Sequence, residues 1–144
     1  MLAFAMLLCF AACGEKKEQK DDKAEQNQSI YDNLAGEYSD SYSGRAMMDL
    51  TSVSGGVKAL VSWGSSASEH DAWEFTLKVG EGDTLCYDDG VHSRVTTDLN
   101  GKDTTDIIAK NESGFFTLNQ KGDLLWNGAA DEDCRECVFE KIEY

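Results

Sequence analysis

The sequence predicts an all-β domain, an antiparallel up-and-down meander that closes into a small barrel or folds into a sandwich. Three observations carry this expectation. From Leu34 onward apolar side chains recur with a period of two, glycine-centred turn signals separate the runs, and none of the 144 residues is a proline that would interrupt a strand.

Taken in order, the first twelve residues, MLAFAMLLCFAA, are apolar and uncharged. They are too few to cross a bilayer, which needs about 20 apolar residues, and read as the apolar region of a signal peptide. Ala11 and Ala12 stand directly before Cys13, and a charged run begins at Glu15. This ending resembles the lipobox of bacterial lipoproteins. The resemblance implies cleavage before Cys13, a lipid on its thiol, and anchorage to a bilayer at the cell surface or in the periplasm. A thiol suits that role because it is the nucleophile able to carry the lipid.

Residues 13–33 are expected to be the lipidated cysteine and a disordered charged tether. EKKEQKDDKAEQNQS, from Glu15 to Ser29, has neither aromatic nor β-branched side chains and so little to bury against the entropy of ordering. Residues 34–144 form the expected β domain, long enough for one core and no more.

Alternation is clearest from Ala72 to Val79, where Trp73, Phe75, Leu77 and Val79 share one face and Glu74, Thr76 and Lys78 the other. Val57 to Trp63 and Ala46 to Leu50 alternate in the same way. Shorter strands are expected at Thr84–Tyr87, Val91–Asp98, Thr104–Lys110, Gly114–Leu118, Asp123–Trp126 and Cys137–Ile142, nine or ten in all. Turns are expected at Ser54-Gly55-Gly56, Glu81-Gly82-Asp83, Asp89-Gly90, Asn100-Gly101, Glu112-Ser113-Gly114 and Lys121-Gly122-Asp123. No stretch shows helical periodicity.

Composition restricts function. With 27 acidic against 13 basic side chains the formal charge is -14. Such a surface repels phosphate backbones and anionic headgroups, which argues against nucleic-acid binding and polybasic membrane docking. In an exported chain the cysteines left after Cys9 and Cys13 are Cys86, Cys134 and Cys137, which suggests one bridge and one free thiol. A structural bridge from Cys86 to Cys137 or Cys134 would pin the last strand to the middle of the sheet. Cys134 and Cys137 are spaced as a C-x-x-C, but no βαβ setting for a redox pair is visible. His70 and His92 are too isolated to complete a zinc site, and no metal or other cofactor is expected.

The best local binding candidate is the polar loop from Gly64 to Asp71, with Ser65, Ser66, Ser68, Glu69 and His70 between Trp63 and Trp73. Ser66, His70 and Asp71 have the residue types of a catalytic triad, but neighbours on one loop do not converge as triad members do. Asp131-Glu132-Asp133 and Asp88-Asp89 lack the ligand spacing of a calcium loop. No catalytic residue is assigned.

Gly36-Glu37-Tyr38, opening the first strand, resembles the Gly-x-aromatic start of lipocalin-like barrels. With Trp63, Ser65 to Glu69, Trp73, Leu124-Leu125-Trp126 and Cys137 to Lys141, the chain is similar to lipocalin-like bacterial lipoproteins, a group that brings no catalytic residues with it. The resemblance implies a monomeric, non-enzymatic module that binds a small molecule or protein outside the cytoplasm. The serine-rich loop also resembles that of the small lipidated barrels that inhibit lysozyme, which offers an alternative: an acidic inhibitor of a lysozyme-like, cationic hydrolase.

Overall fold

Alternation fixes which side of each strand faces inward, and pairing in sequence order then rolls the sheet up. In the computed structural model, which describes residues 15–127 and 137–144, one helix precedes eight strands. They are α1 (Glu15–Leu34), β1 (Gly36–Asp40), β2 (Ala46–Val53), β3 (Gly56–Gly64), β4 (Glu69–Val79), β5 (Thr84–Thr97), β6 (Asp103–Leu118), β7 (Leu124–Asn127) and β8 (Val138–Lys141). Every neighbouring pair is antiparallel, and β8 returns to β1 through Tyr38 opposite Lys141 and Asp40 opposite Phe139, closing the sheet into a ring. The expected leader, the lipid attachment at Cys13 and Cys134 lie outside the described residues.

The described residues form eight strands rather than nine or ten because two expected turns are not turns. Asp89-Gly90 and Glu112-Ser113-Gly114 face each other inside the long β5–β6 pair, where the register slips between Tyr87 and Ser93. Their glycines serve close approach instead. A Cβ on Gly90 would meet the Glu112 carbonyl oxygen at 2.9 Å, and one on Gly114 would collide with the Tyr87 ring. The irregularities bend the two strands, as bulges do in tightly closed sheets.

Inward side chains fill the ring. Tyr38, Met48, Leu50, Val57, Val61, Trp73, Phe75, Leu77, Phe116, Leu124, Trp126 and Phe139 are all fully buried. The aromatic rings interlock: Phe116 stacks on Trp126 with centroids 5.5 Å apart, Trp126 meets Trp73 edge-on at 5.5 Å, and Phe75 stacks on Tyr87 at 4.1 Å. Trp126 Nε1 donates to Tyr87 Oη at 3.1 Å, satisfying the indole within the core.

The expected disordered tether is instead α1. Its Lys, Glu, Gln and Ala residues favour helix, and it lacks glycine and proline. No apolar stripe announces it, and the docking contacts of its described side chains come from its last two turns. Tyr31 and Leu34 are buried, and Val79 N donates to Tyr31 Oη at 3.1 Å. Gln28 Nε2 donates to Ser52 Oγ and Val53 O, each at 3.1 Å, while its Oε1 accepts from Gly55 N at 3.1 Å. Ordered structure therefore reaches back before residue 34. Tyr38 Oη, pushed up to a pKa of about 12 by burial, donates to Leu34 O at 2.8 Å, and Lys141 Nζ donates to Asn33 O at 3.0 Å. Together these contacts cover one end of the ring.

Removing the Tyr31 hydroxyl as Tyr31→Phe strands the Val79 amide and is expected to cost about 1 kcal/mol in urea unfolding followed by tryptophan fluorescence. Phe116→Ala, which empties the centre of the aromatic cluster, is expected to cost about 3–5 kcal/mol in the same measurement.

Candidate functional site

The end of the ring away from α1 carries the β1–β2, β3–β4 and β5–β6 connections, and the expected binding loop is one of them. Residues Ser65 to Ser68 form an exposed turn. Ser65 N and Ser66 N both donate to Glu69 O, at 3.1 and 3.0 Å, and Thr97 N donates to Ser68 O at 2.8 Å. Ser68 N reaches Ser66 Oγ at 3.3 Å. The serines are therefore presented on a braced turn.

Glu69 and His70 do not belong to that turn. They open β4, with Glu69 opposite Thr96 and His70 opposite Gly64 and Val95. Alternation then puts Asp71 on the inner face with Trp73, and His70 on the other. Ser66, His70 and Asp71 are consequently divided between an exposed turn and two faces of a strand.

The interior polar cluster involves residues that the sequence reading did not assemble. Asp71 and His92 are 6% and 7% exposed, and Asp71 Oδ2 lies 3.2 Å from His92 Nε2. Arg94 grips the same carboxylate with two bonds, Nε to Oδ1 at 2.8 Å and a terminal nitrogen to Oδ2 at 3.2 Å. Glu69 Oε1 stands 3.7 Å from Arg94 Nε. The Arg94 guanidinium holds the Asp71 carboxyl below the usual carboxylate range, with a further contribution from His92 that acts against the effect of burial. His92 lies flat on Trp73, with centroids 4.2 Å apart and planes 14° from parallel. Trp73 Nε1, beneath it, is buried and makes no hydrogen bond among the described residues.

Chemically this is a closed arrangement. A fork and an imidazole occupy the Asp71 oxygens, and among the described residues no hydroxyl or thiol is hydrogen-bonded to His92. An Asp–His pair of this kind orients an imidazole. Among the described residues no three His, Cys, Asp or Glu side chains converge as metal ligands. The sequence signal was present in part: His92 and Arg94 alternate onto one face of β5. Their meeting with Asp71 depends on the β4–β5 register, with Asp71 opposite Arg94 and Trp73 opposite His92.

The expected bridge from Cys86 to Cys137 is not formed. Leu85 and Tyr87 point inward, so Cys86 between them points outward, and among the described residues it is a free thiol. Cys137 is buried, on the other side of the sheet's wall. The alternative partner, Cys134, is outside the described residues.

A second concave feature lies at the helical end. It is a groove of about 600 Å³ between α1, the β6–β7 turn and the end of β8, lined by Ile30, Leu34, Leu118, Lys121, Glu140 and Lys141 among others. Its lining mixes both charges with apolar surface. No sequence motif pointed to it.

No family model, no curated protein and no solved structure matches this chain.

The Asp71 cluster makes stability acid-sensitive. Because the folded carboxyl titrates below its unfolded value of about 3.9, its contribution is complete above pH 4 and is lost as pH falls through the folded pKa. Urea midpoints measured between pH 7 and pH 3 are expected to fall in that window. Arg94→Met is expected to cost about 1.5–3 kcal/mol at pH 7 and to flatten the acid limb.

Proposed function

We propose that the chain is a lipid-tethered, extracytoplasmic, non-enzymatic interaction module of lipocalin-like type that meets a partner through its outer surface. The observation that carries this reading is the filled interior. A ring whose inside carries the packed side chains of Trp73, Phe75, Phe116, Trp126 and Phe139 supports contact through the outer surface over an enclosed cargo, since ligand-carrying rings of this size need a cavity. The closed Asp71–His92–Arg94 cluster supports a structural role over a catalytic one. The apolar run before Cys13 and the charged residues after it support export and lipid tethering.

Native mass spectrometry of the full chain, released gently from detergent, tests the filled interior. The expected spectrum shows no small-molecule adduct; a stoichiometric apolar adduct would overturn the reading. Tethering is tested separately by labelled palmitate in a bacterial host, where Cys13→Ser is expected to abolish incorporation.

The braced, exposed turn Ser65 to Ser68 favours one second reading, inhibition of a lysozyme-like hydrolase. A preorganised protrusion loses little entropy on entering a cleft, and the net charge of -14 attracts a cationic enzyme. Titration of hen lysozyme activity with the chain decides it: inhibition lost in Ser66→Arg supports this reading, and undiminished turnover rejects it.

A further inference from the structure

The groove at the helical end combines an apolar floor with charges that do not neutralise one another. On the floor, Leu34 and Tyr38 are buried, Leu118 packs against the core, and Ile30 remains 39% exposed beside them. The rim holds Lys121 and Asp123 on the β6–β7 turn, with Glu140, Lys141 and Glu143 at and beyond the end of β8. The turn is braced: Asn119 Oδ1 accepts from Lys121 N and Asp123 N, both at 2.9 Å, and Asn119 Nδ2 donates to Asp123 Oδ2 at 3.0 Å. β7 and β8 lead away from this rim, and residues 128–136 connect to them at Asn127 and Cys137, the ends remote from it.

The charges are not equally available. Lys141 Nζ donates to Asn33 O at 3.0 Å and lies 5.9 Å from the centre of the Tyr38 ring, so it serves the last turn of α1. Asp123 is already engaged by Asn119. Glu140 and Glu143 are exposed and have no ion-pair partner among the described residues, and the same holds for Lys121. Two available carboxylates against one available ammonium, beside an apolar floor, favour a cation attached to an apolar group. The net charge of -14 acts in the same direction, drawing cations in and repelling anions.

We infer that this groove takes a basic amphipathic peptide segment, with apolar side chains on Ile30, Leu34 and Leu118 and Lys or Arg side chains against Glu140 and Glu143. Its volume of about 600 Å³ falls within the range of ligand sites, about 300–1,000 Å³. A small inorganic cation would leave the apolar floor wet, and a purely apolar molecule would gain nothing from the carboxylates. A segment carrying both kinds of side chain meets both. This occupant rests on the reading that the chain acts through its outer surface, and gives that surface a partner chemistry at the end remote from the Ser65 to Ser68 turn.

Titration of the isotope-labelled full chain in nonionic detergent with acetyl-Lys-Leu-Leu-Lys-amide, followed by amide chemical shifts, tests the groove. Saturable shifts are expected at residues 30–34, 118–123 and 140–143, and none with acetyl-Glu-Leu-Leu-Glu-amide. The double variant Glu140→Lys, Glu143→Lys should weaken binding by about tenfold or more. Ile30→Ser should weaken it by about threefold or more. Asp88→Lys, Asp106→Lys makes the same change in net charge at exposed positions elsewhere, and at physiological salt should alter binding by less than about twofold. Circular dichroism of the variants should match that of the parent chain, and the two peptides on the unaltered chain decide the charge preference whatever the variants do. Absence of saturable shifts, equal binding of the acidic peptide, shifts scattered over the surface, or an equal loss in the Asp88 and Asp106 variant would each overturn the site. None of these outcomes alters the adduct-free mass spectrum, by which the filled interior stands or falls separately.

Discussion

The packing of aromatic rings inside the closed sheet is the constraint on which the other features depend. An eight-stranded ring has an interior just wide enough to be filled by side chains, and here Trp73, Trp126, Phe116, Phe75 and Phe139 fill it. Those rings come from β4, β6, β7 and β8, so the cluster joins strands distant in sequence. It also explains why β7 and β8 hold their place with only four residues each. Trp126 and Phe139 anchor them from within. The glycines at 90 and 114 belong to the same constraint, since Tyr87 reaches its place in the stack only where neighbouring backbone carries no side chain.

A filled interior forces polar chemistry to the ends. At one end Asp71 sits on an inward position, where an ionised carboxylate is tolerated only if its oxygens are satisfied, and Arg94 and His92 satisfy them. The guanidinium is half-exposed and remains hydrated, so the pair stays ionised without the full cost of burying both charges. His92 in turn covers Trp73, so this cluster acts as the lid of the aromatic core. At the other end α1 performs the same task with Tyr31 and Leu34. Its docking through Gln28 to the β2–β3 turn ties the entry of the chain to the ring.

The long β5–β6 pair departs from this economy. Before Phe115, β6 has no second neighbour among the described residues, and most of its side chains lie exposed. A strand built only to close the ring could stop at Phe115. The extra length therefore represents surface rather than core.

Much of the architecture was legible from local pattern. Period-two alternation located β2, β3 and β4 and their inward residues, because one face of each strand is buried and the other solvated. The meander order also followed, since short glycine turns allow only neighbouring strands to pair. What local pattern could not supply were relations between distant residues. Gly90 and Gly114 have the composition of turns, and only the collision of a Cβ with Tyr87 or the facing strand reveals them as close approaches. A helix without an apolar stripe was invisible because its support comes from Ser52, Val53, Gly55 and Val79, far along the chain. Asp71, His92 and Arg94 meet through a strand register that no single segment encodes. The sequence by itself determined strand faces, order and charge, which are properties of neighbours along the chain. Tertiary structure alone decided how the aromatic rings pack inside the ring and where the polar groups converge, because packing and inter-strand register are properties of the closed sheet as a whole.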